Sequence, residues 1–202
     1  GGLTEKIALP QDKLFALPAE VDFEHGAAML LTYATTLYAL RNRAQLQPGE
    51  TLLVLGAAGG TGLSAVELGK ALGARVVAAV SSEEKAAIAR AAGADEVVIY
   101  SRPPFDREQS KALANQFKAA CGADGAQVIY DPVGGAYAEP ALRTIGWEGR
   151  YLVIGFTAGI PKIATNLALL KACSIIGVFW GAWCARNPGE LGKDMAELFD
   201  LW

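Results

Sequence analysis

From Thr51 onward, short runs of Val, Ile and Leu alternate with Ala-rich stretches whose apolar residues recur at helical spacing. Such alternation signals parallel strands joined by crossover helices. The runs predict strands at Thr51 to Leu55, Arg75 to Val80, Glu96 to Tyr100, Ala126 to Tyr130, Gly149 to Ile154 and Ser174 to Phe179. Between them the pattern predicts helices from Gly60 to Leu72, Glu83 to Ala92, Arg107 to Ala120 and Ala136 to Ile145. Glycine stops close the first two of these, in Ala71-Leu72-Gly73-Ala74 and Ala91-Ala92-Gly93-Ala94. The expected fold is α/β, a doubly wound six-stranded parallel sheet of Rossmann type.

The flanks follow other patterns. Residues 23–46 are rich in Ala, Leu and Thr, read as helical, and lead to the turn Gln47-Pro48-Gly49-Glu50. Residues 1–22 carry Pro10 and Pro18 around short apolar pieces, which suggests an edge strand and loops belonging to something outside the sheet. A last helix opens near Asn187-Pro188-Gly189 and runs to Trp202 with apolar residues that lack an evident partner, so a fragment of a longer chain is expected.

Composition narrows the function. The 202 residues suit one α/β domain with a well-buried core. Although 52% of residues are hydrophobic, no apolar run reaches the roughly eighteen residues a membrane span needs. No basic, apolar leader is visible, and a soluble cytoplasmic protein is expected. The net charge of −3, with scattered basic residues, provides no positive stripe for nucleic acid. Cys121, Cys173 and Cys184 are odd in number and far apart, which fits neither a disulfide framework nor a CxxC-based metal site.

The strongest chemical signal is Gly56-Ala57-Ala58-Gly59-Gly60-Thr61-Gly62, set between a hydrophobic strand and a helix. A helix N-terminus offers free N–H donors and a positive dipole end to a pyrophosphate. Gly59 would let the backbone approach that ligand, Gly60 and Thr61 would add main-chain donors, and Gly62 would let the helix pack on the strand. Ala57 stands where the generic G-x-G-x-x-G pattern has its first Gly. About twenty residues on, an NAD site would place Asp or Glu, but this chain has Ser81, Ser82 and then Lys85. Hydroxyls beside an ammonium suit a 2′-phosphate, which favours NADPH over NADH. Ser81 and Glu84 also have capping-box spacing, which fits a plain helix start. Tyr100 could flank the adenosine phosphate or simply pack at the rim.

The glycine turn, Ala71-Leu-Gly-Ala-Arg-Val-Val, Ser81-Ser-Glu-Glu-Lys-Ala, Tyr130-Asp-Pro-Val-Gly-Gly and Gly149-Arg-Tyr-Leu-Val-Ile-Gly-Phe together resemble the zinc-independent quinone oxidoreductases of the medium-chain dehydrogenase/reductase superfamily. The resemblance extends over nearly the whole chain, with Thr61 standing where Val is usual and Thr36 where Ala is usual. It implies hydride transfer from NADPH to a quinone or related conjugated carbonyl. It also implies that Thr35 contacts the nicotinamide end and that Val133, Gly134, Gly155 and Phe156 line the nicotinamide and its ribose. Residues 1–22 would then be a remnant of a GroES-like catalytic domain, and residues 23–202 the NADP(H)-binding domain.

Because most of the substrate pocket would lie elsewhere, the fragment is expected to be inactive alone. Hydride transfer relies on positioning more than on a protein acid or base, and no catalytic residue is singled out. His25, the only histidine, reads as a helix-start surface residue beside Asp22 and Glu24. With no Cys in residues 1–120, a zinc alcohol dehydrogenase has no visible ligands, and no metal is expected. The apolar strand at Ser174 to Phe179 is expected to form an edge that pairs with a second copy, as related enzymes do. Trp180 and Trp183 would serve that interface or the nicotinamide pocket. Two other readings stay open: an enone or enoyl-thioester reductase on the same scaffold, and a non-catalytic dinucleotide-binding module such as a lens crystallin.

Overall fold

The computed structural model describes residues 4–11 and 14–201. Helix α1 (Phe23–Leu37) widens into a π-helical turn at Tyr38–Arg43 and delivers the chain to β1 (Thr51–Leu55). There follow α2 (Gly60–Ala71), β2 (Arg75–Val80), α3 (Glu83–Ala91), β3 (Glu96–Ile99), α4 (Arg107–Cys121) and β4 (Ala126–Asp131). A short 3-10 turn at Gly135–Tyr137 leads into α5 (Ala138–Leu142) and β5 (Ile145–Val153). The chain continues through α6 (Asn166–Lys171), β6 (Ser174–Gly177), α7 (Trp180–Arg186) and α8 (Glu190–Leu201).

All strand pairs are parallel, in the order β3-β2-β1-β4-β5-β6. This is the doubly wound order, and its connections reverse direction between β1 and β4, the point where such sheets open a crevice. Side-chain alternation divides β1 between two cores. Leu52 and Val54 face the layer of α1, α2 and α8 with Val76, Val128 and Met195, while Leu53 and Leu55 face α4 and α5 with Val77, Ile129 and Phe117. Burial on both faces explains why β1 reads as a continuous apolar run rather than an alternating one.

The predicted strands all form, with small differences at their ends. β3 stops at Ile99, so Tyr100 lies just past it, and β6 stops at Gly177, where Phe179 becomes the N-cap of α7. β5 begins at Ile145, four residues before the predicted Gly149, because an irregularity with Glu148 at φ 55° lets the chain pair with β4 on both sides of a register shift. That early start consumes the end of the helix expected from Ala136 to Ile145, which shrinks to Ala138–Leu142. Helices α6 and α7 were not anticipated: both are short, and Gly181 interrupts the helical pattern of α7. Among the described residues of 1–22 no strand forms, so the expected edge strand is absent there, while Trp202 lies outside the described residues. No helix among the described residues is long and apolar enough to cross a membrane.

Candidate functional site

At the switch point, beyond the C-terminal ends of β1, β2 and β4, lies an open cleft of about 710 Å³. Its floor is the glycine turn. Gly56 adopts a left-handed φ of 60°, and its carbonyl accepts from Gly59 N at 2.9 Å, closing the turn ahead of α2. Gly59 caps α2 in an extended conformation, and the first bond of the helix runs from Leu63 N to Gly59 O at 2.7 Å. The N–H groups of Gly60, Thr61 and Gly62 belong to that first turn and have no intrahelical acceptor. A Cβ on Gly62 would lie 2.1 Å from Gly56 O, so the helix sits on the strand closely enough that only glycine fits. At Gly59 the nearest atom to such a Cβ is 3.4 Å away, so its value lies in exposing backbone toward the cleft rather than in packing.

One end of the cleft is positively charged. Lys85 Nζ donates to Ser81 Oγ at 3.3 Å, and both line the cleft with Tyr100, Arg102 and Pro103. The carboxylate that could oppose an anion here, Glu83, is engaged by Arg90 at 2.6 Å. Ser82, not Ser81, caps α3, accepting from Lys85 N at 3.3 Å; the Ser81 and Glu84 capping box does not form, and Ser81 faces the cleft. Tyr100 is buried, its hydroxyl pushed up to about 12, chiefly by that burial, and its ring packs 4.7 Å from Tyr137. It forms part of the wall rather than a flexible rim.

The other end is shaped by Asp131. One of its oxygens accepts from Val133 N and Gly134 N, both at 2.8 Å, and the other accepts from the Tyr151 hydroxyl. These donors favour the charged form, but burial outweighs them and raises the carboxyl above its ordinary range. The result is a rigid loop after β4, in which Gly134 takes φ 67° and a Cβ there would meet Gly159 O at 2.7 Å. Pro132, Val133, Thr157 and Ala158 line the cleft along this loop and the one after β5.

Of the residues expected from sequence, Gly59, Gly60, Thr61, Ser81, Lys85, Tyr100 and Val133 line the cleft together. Thr35, Gly62, Ser82, Gly134, Gly155 and Phe156 are not part of its lining. Gly62 and Gly134 are buried beneath it, Thr35 and Gly155 are half-buried, and Phe156 stands 49% exposed on the loop after β5. Sequence reasoning missed Arg102, Tyr137, Thr157 and the buried Asp131. A readable signal existed only for Asp131, a carboxylate that follows the apolar run Val128-Ile129-Tyr130.

Away from the cleft, His25 Nδ1 lies 2.8 Å from the Asp22 carboxylate, and Asp22 caps α1, as expected of a helix start. Trp183 stacks on Tyr38 with ring centroids 4.6 Å apart, which places it against the π-helical turn. Among the described residues no group of three or more His, Cys, Asp or Glu is placed to hold a metal ion.

Comparison with known proteins adds an independent line. The sequence profile of a family described as zinc-binding dehydrogenase matches residues 60–200. The chain is 36% identical over 204 residues to a quinone oxidoreductase-like protein 2 homolog of Nematostella vectensis, covering 100% of this chain and 53% of the relative. Its structure superposes on Escherichia coli quinone oxidoreductase complexed with NADPH with a TM-score of 0.81 at 30% identity, covering 94% of this chain and 56% of the other. The CurK enoyl reductase is also similar, with a TM-score of 0.79 at 26% identity, covering 95% of this chain and 55% of the other. The chain therefore spans little more than half the length of these relatives.

Proposed function

Since the chain belongs to the zinc-binding dehydrogenase family, on the quinone oxidoreductase side of the medium-chain dehydrogenase/reductase superfamily, we propose that it is the NADPH-binding part of an oxidoreductase that reduces a quinone or related conjugated carbonyl. One observation carries this reading: a single cleft joins a glycine turn with unpaired helical N–H groups to a Ser81, Lys85 and Arg102 cluster. The arrangement suits a dinucleotide with its pyrophosphate on the turn and its 2′-phosphate on the cations. Gly59, Gly60 and Thr61 would hold the pyrophosphate, Ser81, Lys85 and Arg102 the 2′-phosphate, and Tyr100 the adenosine edge. Ser82 would act through the α3 cap, and Gly62 through close helix packing.

At the far end, Thr35, Val133, Gly134, Gly155 and Phe156 would border the nicotinamide and its ribose. The bound nicotinamide supplies a hydride. The chain's own task is to fix the ring and keep water from it, and Asp131 serves this by locking the Val133–Gly134 main chain. Residues 23–202 would form the NADP(H)-binding domain and residues 1–22 a remnant of the catalytic domain. β6, an edge strand with Ile175 exposed, would pair with a second copy.

A second reading, reduction of an enone or enoyl thioester, draws on the likeness to the CurK enoyl reductase. The two separate by turnover: the protein would be given NADPH with either a simple quinone or an enoyl thioester while nicotinamide absorbance is followed. Oxidation with the quinone alone supports the first reading, and oxidation with the thioester alone the second. Because a chain that spans about half of its relatives' length is expected to be inactive alone, both assays use the full-length protein; oxidation with neither, despite tight NADPH binding, would favour a binding module.

A further inference from the structure

Behind the glycine turn lies a group of three hydroxyls that the proposed phosphate and ring contacts do not use. Tyr130, near the end of β4, is fully buried, and its hydroxyl lies 2.8 Å from Thr36 Oγ1 on α1. Thr36 is also 2.8 Å from Ser64 Oγ on α2, and it donates to Thr32 O at 2.8 Å. Ser64 Oγ also lies 3.0 Å from the Thr61 carbonyl in the first turn of α2. Each hydroxyl carries one proton. With Tyr130 donating to Thr36, Thr36 to the Thr32 carbonyl and Ser64 to the Thr61 carbonyl, every proton has an acceptor.

The members come from three different elements. Thr36 follows Thr35 on α1, Ser64 lies on α2 just past the glycine turn, and Tyr130 precedes the Asp131 that fixes the loop after β4. Neither β2, α3 nor the segment after β3, which carry Ser81, Lys85 and Arg102, contributes a group. We propose that the Tyr130 hydroxyl, held by Thr36 and through it by Ser64, is a positioning clamp that sets the separation of α1, the glycine turn and the loop after β4, and hence the seat of the nicotinamide. The proposal rests on the cofactor reading above. Without Thr36 the buried tyrosine proton loses its acceptor, and a buried donor left unpaired pushes the walls toward another arrangement. The phosphate end is anchored elsewhere and is spared.

The test compares two ligands on the full chain. NADPH spans the whole cleft, whereas 2′,5′-ADP carries the phosphate end and no nicotinamide. Thr36→Val should raise the Kd for NADPH roughly fivefold and lower the emission of the bound nicotinamide, with 2′,5′-ADP changing by less than about twofold. Tyr130→Phe, which keeps the ring in the core, should give the same split, and Thr36→Ser should restore both readouts. Equal weakening of the two ligands, or unchanged NADPH binding and emission in both variants, would overturn the clamp while leaving the cofactor reading intact. Failure of the unaltered chain to bind either ligand would overturn that reading and the clamp together.

Discussion

Gly62 shows how much a single position can decide. With 2.1 Å between its virtual Cβ and Gly56 O, any side chain must lift α2 off β1 and open the turn that offers its N–H groups to the cleft. Gly62→Ala is expected to cost about 3 kcal/mol by overpacking, read as a lower melting temperature. It should also weaken nucleotide binding, whereas Gly59→Ala, with ordinary room for a methyl group, should leave the melting temperature nearly unchanged. The role of Gly62 was legible in the sequence because glycine spacing after an apolar strand has one geometric meaning. The capping residue of α3 was not: Ser81 and Ser82 are chemically equal, and only the backbone decides which turns inward. Arg102 was invisible for another reason. It follows β3 in a segment without regular structure, so periodicity gives no hint that the chain folds back along the cleft.

Elements are tied to one another by a few polar links across their ends. Asp95, just before β3, receives Lys70 Nζ of α2 at 2.7 and 2.8 Å and the Val76 N–H of β2 at 2.7 Å. Burial acts to raise its carboxyl, but the Lys70 ammonium and the Val76 N–H more than offset this and hold it below the ordinary carboxylate value. A carboxyl lowered on folding contributes stability above its unfolded pKa and loses that contribution as the pH falls through the folded one. Asp95→Asn should therefore lower the melting temperature at neutral pH, with the gap to the unaltered chain narrowing in acid. A gap that stays constant with pH would show that the charge is not what matters. At this scale the long apolar runs predicted β1 and β2 to the residue, since burial on both faces leaves little else for them to be. The start of β5 was hidden because the preceding helix was expected to run to Ile145, while Gly146, Glu148 and Gly149 carry an irregular stretch of strand. Helices α6 and α7 are too short for a helical period to stand out.

Over the whole molecule, the strand order places one crevice at one position, and the sequence-derived residues that line it come from the segments that follow β1, β2, β3 and β4. The same order leaves β6 at the sheet edge, with Ile175 41% and Phe179 77% exposed nearby. If that edge pairs two copies, light scattering should give a dimeric mass for the chain, and Ile175→Lys should give a monomeric one; a monomer before substitution would contradict the pairing. The central claim is that the cleft selects a dinucleotide by its 2′-phosphate. The direct measurement is titration of the chain with NADPH and with NADH, following nicotinamide fluorescence, repeated for Lys85→Ala and Arg102→Ala. The account predicts tighter binding of NADPH, with each substitution weakening NADPH roughly tenfold and leaving NADH nearly unchanged. Equal affinity for the two nucleotides, or an NADPH preference that survives both substitutions, would contradict it.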